Sequence, residues 1–343
     1  MKKLKQLTSI AFIGTMALVL SACGSAAVTG GQSAKDEDTK EQTVRVAVMT
    51  NSVTQWIAEI GDEQDIFEQN GIDIEVTEFA AGINTADAVT LGQADIGYMA
   101  DYAVVNRIGS VENSNLRILA STQEATQSGS GTKLFVNPEK INQVSDLAGL
   151  AFGSVTGTVN DYYMEKTYEF AGISPEDQNI IKVSDFSAAV AAATTGDIDA
   201  FWASGTDAQK LEQAGLVPIL SLTDLGIYTN AFLIADAEAI KASPEKLANY
   251  LKAYQETLDW IYENQDAAAD IISEEINVPA DVWKAQFAAS EYRLQLKQKD
   301  VDTIDTLEQW EFNNGNFDND YEIRDFLNAD LLTSVDSDAV DYQ

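Results

Sequence analysis

Short β-like runs alternate with helix-spaced stretches through residues 43–235, and no other feature limits the possible folds as much. The runs are 43–49 (TVRVAVM), 72–79 (IDIEVTEF), 94–99 (ADIGYM), 116–122 (LRILAST), 133–136, 150–152, 180–183, 197–202 (DIDAFW), 217–220 and 228–235 (YTNAFLIA). Several alternate apolar with polar residues and are rich in Val and Ile, as half-buried strands are. Helical spacing fills the gaps at 56–69, 84–92, 102–108, 159–170, 186–195 and on to 214, with Asn70-Gly71 as a stop signal. Beyond 244 the chain reads mostly as helix, over 244–263, 265–273, 280–293 and 303–313. Interleaving of this kind predicts an α/β fold, a parallel sheet with right-handed crossovers and helices on its faces. Loops after the strand ends then line one crevice. Those loops carry Asn51, Ser52, Gly82, Asn84, Ala100, Asp101 and the run 122–130.

Residues 150–163 (LAFGSVTGTVNDYY) concentrate the chemistry. A short apolar strand runs into Gly153, Ser154, Thr156, Gly157 and Thr158, and a helix starts at Val159. The first N–H groups of a helix lack internal partners and carry partial positive charge, so they receive anions. Hydroxyls add donors, and glycine lets a ligand approach the backbone. The alternative is an ordinary N-cap, in which Thr156 or Thr158 ties off the helix.

Charge excludes whole classes of partner. The chain has 343 residues, enough for two lobes, and its 21 basic and 55 acidic residues leave a formal charge of −34. Such a surface repels the phosphates of nucleic acid. No His occurs, which removes the commonest general base and metal ligand and any Ser–His or Cys–His nucleophile. The acidic run 318–322 (DNDYE) lacks the glycine and the distal Glu of a calcium loop, so neither a metal nor another cofactor is expected. Cys23 is the sole cysteine, so no intrachain disulfide forms. Residues 1–22 have a basic start and an apolar run from Ile10 to Leu20, too short to span a bilayer. They end in Leu20-Ser21-Ala22-Cys23-Gly24, which resembles a bacterial lipoprotein signal. That resemblance implies lipidation of Cys23 and anchorage on the extracytoplasmic face of the cell membrane. Residues 23–42 then read as a flexible tether.

Five segments in order carry a wider resemblance: IFEQNGIDIEVTEFAAG, AVTLGQADIGYMADYAV, VSDLAGLAFGSVTGT, AVAAATTGDIDAFWAS and SPEKLANYLKAYQETLDWIYENQDAAADII. Over roughly 43–313 the chain resembles the solute-binding proteins of ABC importers, in the nitrate, sulfonate, taurine and thiamine-precursor branch. The common DLKGK of that branch stands here as Asp146-Leu147-Ala148-Gly149-Leu150. The resemblance implies the two-lobe, type II periplasmic-binding-protein fold, with mixed or parallel sheets flanked by helices. Lobe 1 is then 43–137 with 226–343, and lobe 2 is 138–225. A two-segment hinge is placed near 137–144 and 222–230. A monomeric, non-enzymatic receptor handing its ligand to an ABC permease is implied.

For the ligand, Ser154, Thr156, Gly157 and Thr158 are expected to hold an anionic head, with further donors from Asn51, Ser52, Gly82 and Asn84 and the flanking Ala100. Trp56, Tyr102, Trp202 and Tyr228 supply walls. Asp101 and Asp207 pair with a ligand amine. No Arg or Lys lies in these loops, which suits a singly charged sulfonate or an amino-sulfonate zwitterion such as taurine better than a polyphosphate. Duller roles compete: Asp101 as a helix cap, Trp56 and Trp202 as core, Asp207 as a first-turn acid. A thiamine-precursor pyrimidine, nitrate, or a sensor role without transport are the alternative functions.

Overall fold

A computed structural model describes residues 42–125 and 131–342. The signal, the tether and Cys23 lie outside these residues, as does 126–130 of the expected cleft run. The strands are β1 (Gln42–Met49), β2 (Ile72–Phe79), β3 (Gly97–Ala100), β4 (Leu116–Ala125), β5 (Lys133–Val136), β6 (Ala151–Val155), β7 (Asn179–Val183), β8 (Ala200–Ala203), β9 (Val217–Ser221), β10 (Asn230–Asp236) and β11 (Ser290–Gln295). The helices are α1 (Val53–Glu63), α2 (Ile66–Gln69), α3 (Gly82–Thr90), α4 (Asp101–Gly109), α5 (Val159–Ala171), α6 (Phe186–Thr195), α7 (Gly205–Gln213), α8 (Ala237–Ala242), α9 (Pro244–Glu263), α10 (Gln265–Glu275), α11 (Ala280–Phe287), α12 (Gln298–Asn313) and α13 (Asp330–Val335).

Two β layers result. In the first, β1 and β2 pair in parallel, and a parallel bridge between Val46 and Ile96 joins them to a sheet of order β11-β4-β10-β3. The second has order β7-β6-β8-β5-β9. The sheets are mixed, not parallel throughout. β10 runs antiparallel to both β3 and β4, and β5 antiparallel to both β8 and β9. Helix-linked strands within a half do pair in parallel, as β6 does with β7. β5 is the strand by which the chain enters the second sheet, and β10 the one by which it returns to the first.

That topology corrects the expected place of residues 133–136. β5 was assigned to the first lobe, but it lies between β8 and β9, with Leu134, Phe135 and Val136 buried. The chain therefore passes from the first sheet to the second between Ala125 and Lys133, ahead of 137–144. The return runs through Gly226–Thr229, inside the expected 222–230. Two element boundaries also differ. The helix expected over 56–69 breaks at Asp65, whose φ of 56° is left-handed. The helix expected over 280–293 stops at Phe287, and β11 adds an antiparallel edge to β4. Tyr292 and Leu294 bury their side chains there, and edge pairing outweighs local helical spacing.

The larger core runs through both layers, from Val46 and Phe232 of the first to Leu134, Phe152 and Trp202 of the second. On α9, Leu247, Tyr250, Leu251, Tyr254, Leu258 and Ile261 are buried at helical spacing. Each such side chain contributes about 1.5–3 kcal/mol by leaving water. A second, smaller core in the second layer is built around Phe135, Val155, Ile198, Phe201 and Leu211. At Gly153 a Cβ would meet Ile198 Cδ1 at 2.8 Å, so a larger residue there would push the Ile198 side chain aside.

Candidate functional site

A cavity of about 220 Å³ opens where the two layers meet. Asp101 comes from the first turn of α4, Tyr162 and Tyr163 from α5, and Thr303, Thr306 and Leu307 from α12. Gly226–Thr229, the segment returning to the first sheet, forms another wall. Gly226 takes a φ of 73°, which turns the chain out of a short 3₁₀ turn toward β10. Val159, at the start of α5, and Asp302 complete the lining. Asp101 and Tyr228 were expected at a ligand, and the structure brings both to this cavity.

Asp101 is 5% exposed. Its Oδ1 accepts the Tyr102 N–H at 2.8 Å, and its Oδ2 accepts the Asn230 N–H at 2.9 Å. Burial pushes its carboxyl up to about 6, against the pull of those two N–H groups. Burial also raises the Tyr162 phenol to about 12, with the charge of Asp101 adding to the shift. Among the described residues, no Lys or Arg lines this cavity. An adjoining one of about 190 Å³ shares Tyr228 and Thr303 and is lined by Glu124, Asn230, Lys299 and Asp300. There Lys299 and Arg293 both contact Glu124.

The hydroxyl-bearing turn behaves differently from its expected anion seat. β6 leads into it and α5 leaves it as anticipated, but its donors already have a partner. The Ser154 hydroxyl donates to one oxygen of the Asp161 carboxylate, and the Gly157 N–H donates to the other at 2.8 Å. Thr158 is the N-cap, accepting from the Asn160 N–H at 3.3 Å and donating to the Val155 carbonyl at 2.6 Å. Thr156 is exposed at the tip of the turn. Asp161 thus stands where an external anion was expected. No signal distinguishes such an acid from any other first-turn Asp.

The remaining expected residues do not gather at the cavity. Trp56 is 3% exposed, packed edge-on against Trp283 and Tyr292, with Nε1 bonded to Asn51 at 3.2 Å. Trp202 is fully buried, and its Nε1 donates to Thr167 at 2.9 Å. Both are core residues, so the packing alternative prevails over a ligand wall. Asn51 also gives its N–H to Gln55, and buried Ser52 shares a hydroxyl contact with Thr54. Gly82 and exposed Asn84 lie in the first turn of α3, and Ala100 precedes α4. Tyr102 packs on Trp310 and accepts from Asn316. Asp207 is paired with Lys210 at 2.7 Å on α7, the first-turn role. Sequence reasoning missed Tyr162, Tyr163 and the α12 wall. The i, i+3, i+4 spacing puts Thr303, Thr306 and Leu307 on one helix face, but a core-facing helix has the same spacing.

Among the described residues, no group of three or more His, Cys, Asp or Glu is placed to hold a metal. No helix among them is long and apolar enough to cross a membrane.

Against known proteins, residues 58–268 match the family described as NMT1/THI5 like. A Bacillus subtilis protein named as an aliphatic sulfonates-binding protein is 21% identical over 315 residues, 84% of this chain and 91% of that protein. The periplasmic aliphatic sulphonate binding protein SsuA from Escherichia coli superposes with a TM-score of 0.68 at 17% identity, covering 83% of this chain and 91% of that one. The desulfurization enzyme DSZB superposes with a TM-score of 0.62 at 12% identity, over 86% and 99%. These likenesses establish the periplasmic-binding-protein fold, with mixed sheets flanked by helices.

Proposed function

The chain belongs to the NMT1/THI5-like family, and we propose that it is the extracytoplasmic solute receptor of an ABC importer. Its solute is a small organic anion or zwitterion of the sulfonate and taurine kind, captured between two lobes and passed to the permease. The observation that carries this proposal is a cavity lined at once by α4 of the first layer, α5 of the second and the return segment Gly226–Thr229. A site shared by two bodies favours their closed arrangement when filled, and a permease can sense that closure. The likeness to sulfonate-binding proteins supports the solute class.

The lobes divide at the two crossings, so that residues 131–225 form the second. The return segment Gly226–Thr229 then forms part of the hinge. A non-catalytic role is supported by the lack of His and by Cys23 being the only thiol. After export, loss of residues 1–22 and lipidation of Cys23 would hold the protein at the outer face of the membrane as a monomer, with the residues from Cys23 up to β1 as the tether.

Titration calorimetry of the purified protein with taurine, short alkanesulfonates, nitrate and aminopyrimidines tests the solute class. One-to-one binding of a sulfonate-bearing compound is expected. Heat from nitrate or the aminopyrimidines alone would reassign the solute within the same receptor role.

A further inference from the structure

The charge inside the cavity specifies the solute further. The carboxylates of Asp101 and Asp302 line it together with the rings of Tyr162, Tyr163 and Tyr228; among the described residues no basic side chain lines it, while Arg324 pairs with Asp302 and Lys166 lies over the Tyr162 ring from outside that lining. An ionised acid beside aromatic faces suits an organic cation, which gains from both the carboxylate and the ring quadrupoles. It disfavours a bare anion. The donors that would receive an anion at the α5 turn are held by Asp161. A second observation lies beside the cavity. Asn230, whose N–H holds Asp101, is 4% exposed, and its side-chain Oδ1 has no donor. An unmatched buried acceptor calls for an N–H group. Lys299, which lines the adjoining cavity and pairs with Glu124, is the basic group there that could serve the opposite end of a zwitterion.

We propose that Asp101, walled by Tyr162, Tyr163 and Tyr228, seats a positively charged nitrogen of the solute, so that the protein selects amine-bearing over amine-free sulfonates. This rests on the receptor role proposed above. It assigns Asp101 as the residue that sets specificity.

Matched pairs test it in the full-length protein: taurine against ethanesulfonate, and 3-aminopropanesulfonate against propanesulfonate, with tetramethylammonium as a cation alone. The aminated member should bind about ten-fold or more tightly than its partner. Asp101→Asn should abolish that preference, while Asp207→Asn, on α7 and paired with Lys210, should preserve it. If Asp101→Asn unfolds, the wild-type pairs still decide the question. Equal or tighter binding of the amine-free sulfonates overturns this inference and leaves the receptor role intact. Absence of binding by every probe overturns both the amine seat and the sulfonate class.

Discussion

The indole of Trp310 meets the phenol of Tyr162 edge to face, with ring centroids 5.3 Å apart. Trp310 lies on α12, which packs against α4 of the first layer, and Tyr162 on α5, which packs on the second sheet. Trp310 also packs against Tyr102 of α4 at 6.4 Å. The ring pair joins the two layers next to the cavity, so it holds them together in the arrangement described. An aromatic pair of this geometry contributes about 0.5–1.5 kcal/mol beyond its buried area. Trp310→Leu should therefore weaken solute binding by about two- to ten-fold and let the two layers separate more often. Small-angle X-ray scattering of the variant should show a larger radius of gyration without ligand. An unchanged radius would mean the pair is incidental to closure.

Asp161 offers a second test. Asp161→Ala removes the acceptor from the Ser154 hydroxyl and the Gly157 N–H, at a cost of about 1–3 kcal/mol in stability. The same change frees both donors and removes a negative charge. Ethanesulfonate affinity should rise in this variant, as read by calorimetry. A fall would show that Asp161 supports an anion site indirectly.

Thr158→Ala should lower stability by about 1 kcal/mol, since its hydroxyl caps α5. Thr156→Ala, at an exposed position, should leave thermal unfolding unchanged. If the double variant keeps its solute affinity, the turn is architectural. If affinity drops while Thr156→Ala alone is at fault, the exposed hydroxyl reaches the ligand.

The pH dependence of stability follows from two buried acids. Burial pushes the Glu311 carboxyl up to about 8, and Asp101 up to about 6, with their mutual repulsion adding to the Glu311 shift. The folded chain binds their protons more tightly than the unfolded one. Their contribution is fully present below the ordinary carboxylate range and is lost as pH rises through 6 and then 8. Melting temperature should fall from pH 5 to pH 9. Glu311→Gln should flatten the alkaline part of that slope, by an amount on the order of 3 kcal/mol. A parallel slope in the variant would assign the loss to general charge repulsion instead.

Binding of an amine should have its own profile. Asp101 must be ionised to pair with it, and it is faced by Glu311 of α12, Tyr162 and Tyr163 of α5, and Tyr98 of β3. The three phenols are raised by burial and stay neutral in the relevant range. Affinity for taurine should fall below pH 6 by up to about ten-fold per unit.

Much of the architecture is legible in the sequence because it is local. The boundaries of α6 and α9 are read directly, from the small-residue run after Asp185 and from the Pro at the start of a long amphipathic stretch. The position of β5 is not, since nothing in KLFV reveals which sheet will take it as a central antiparallel strand. β11 escapes for the same reason: Ser290–Gln295 is a strand only because β4 offers an edge. At the site, Asp101 and Tyr228 announce themselves at strand boundaries. The α12 wall does not, because a helix facing a cavity has the same spacing as one facing core. Trp56 and Trp202 show the reverse, loop-adjacent aromatics that fold inward to fill volume.

A crystal structure of the protein with taurine tests the central claim most directly. The ligand nitrogen is predicted within hydrogen-bonding distance of Asp101, between Tyr162 and Tyr228, with its sulfonate toward Lys299. A ligand seated instead on the Ser154–Thr158 turn, with Asp161 displaced, or outside the junction of the two layers, would contradict it.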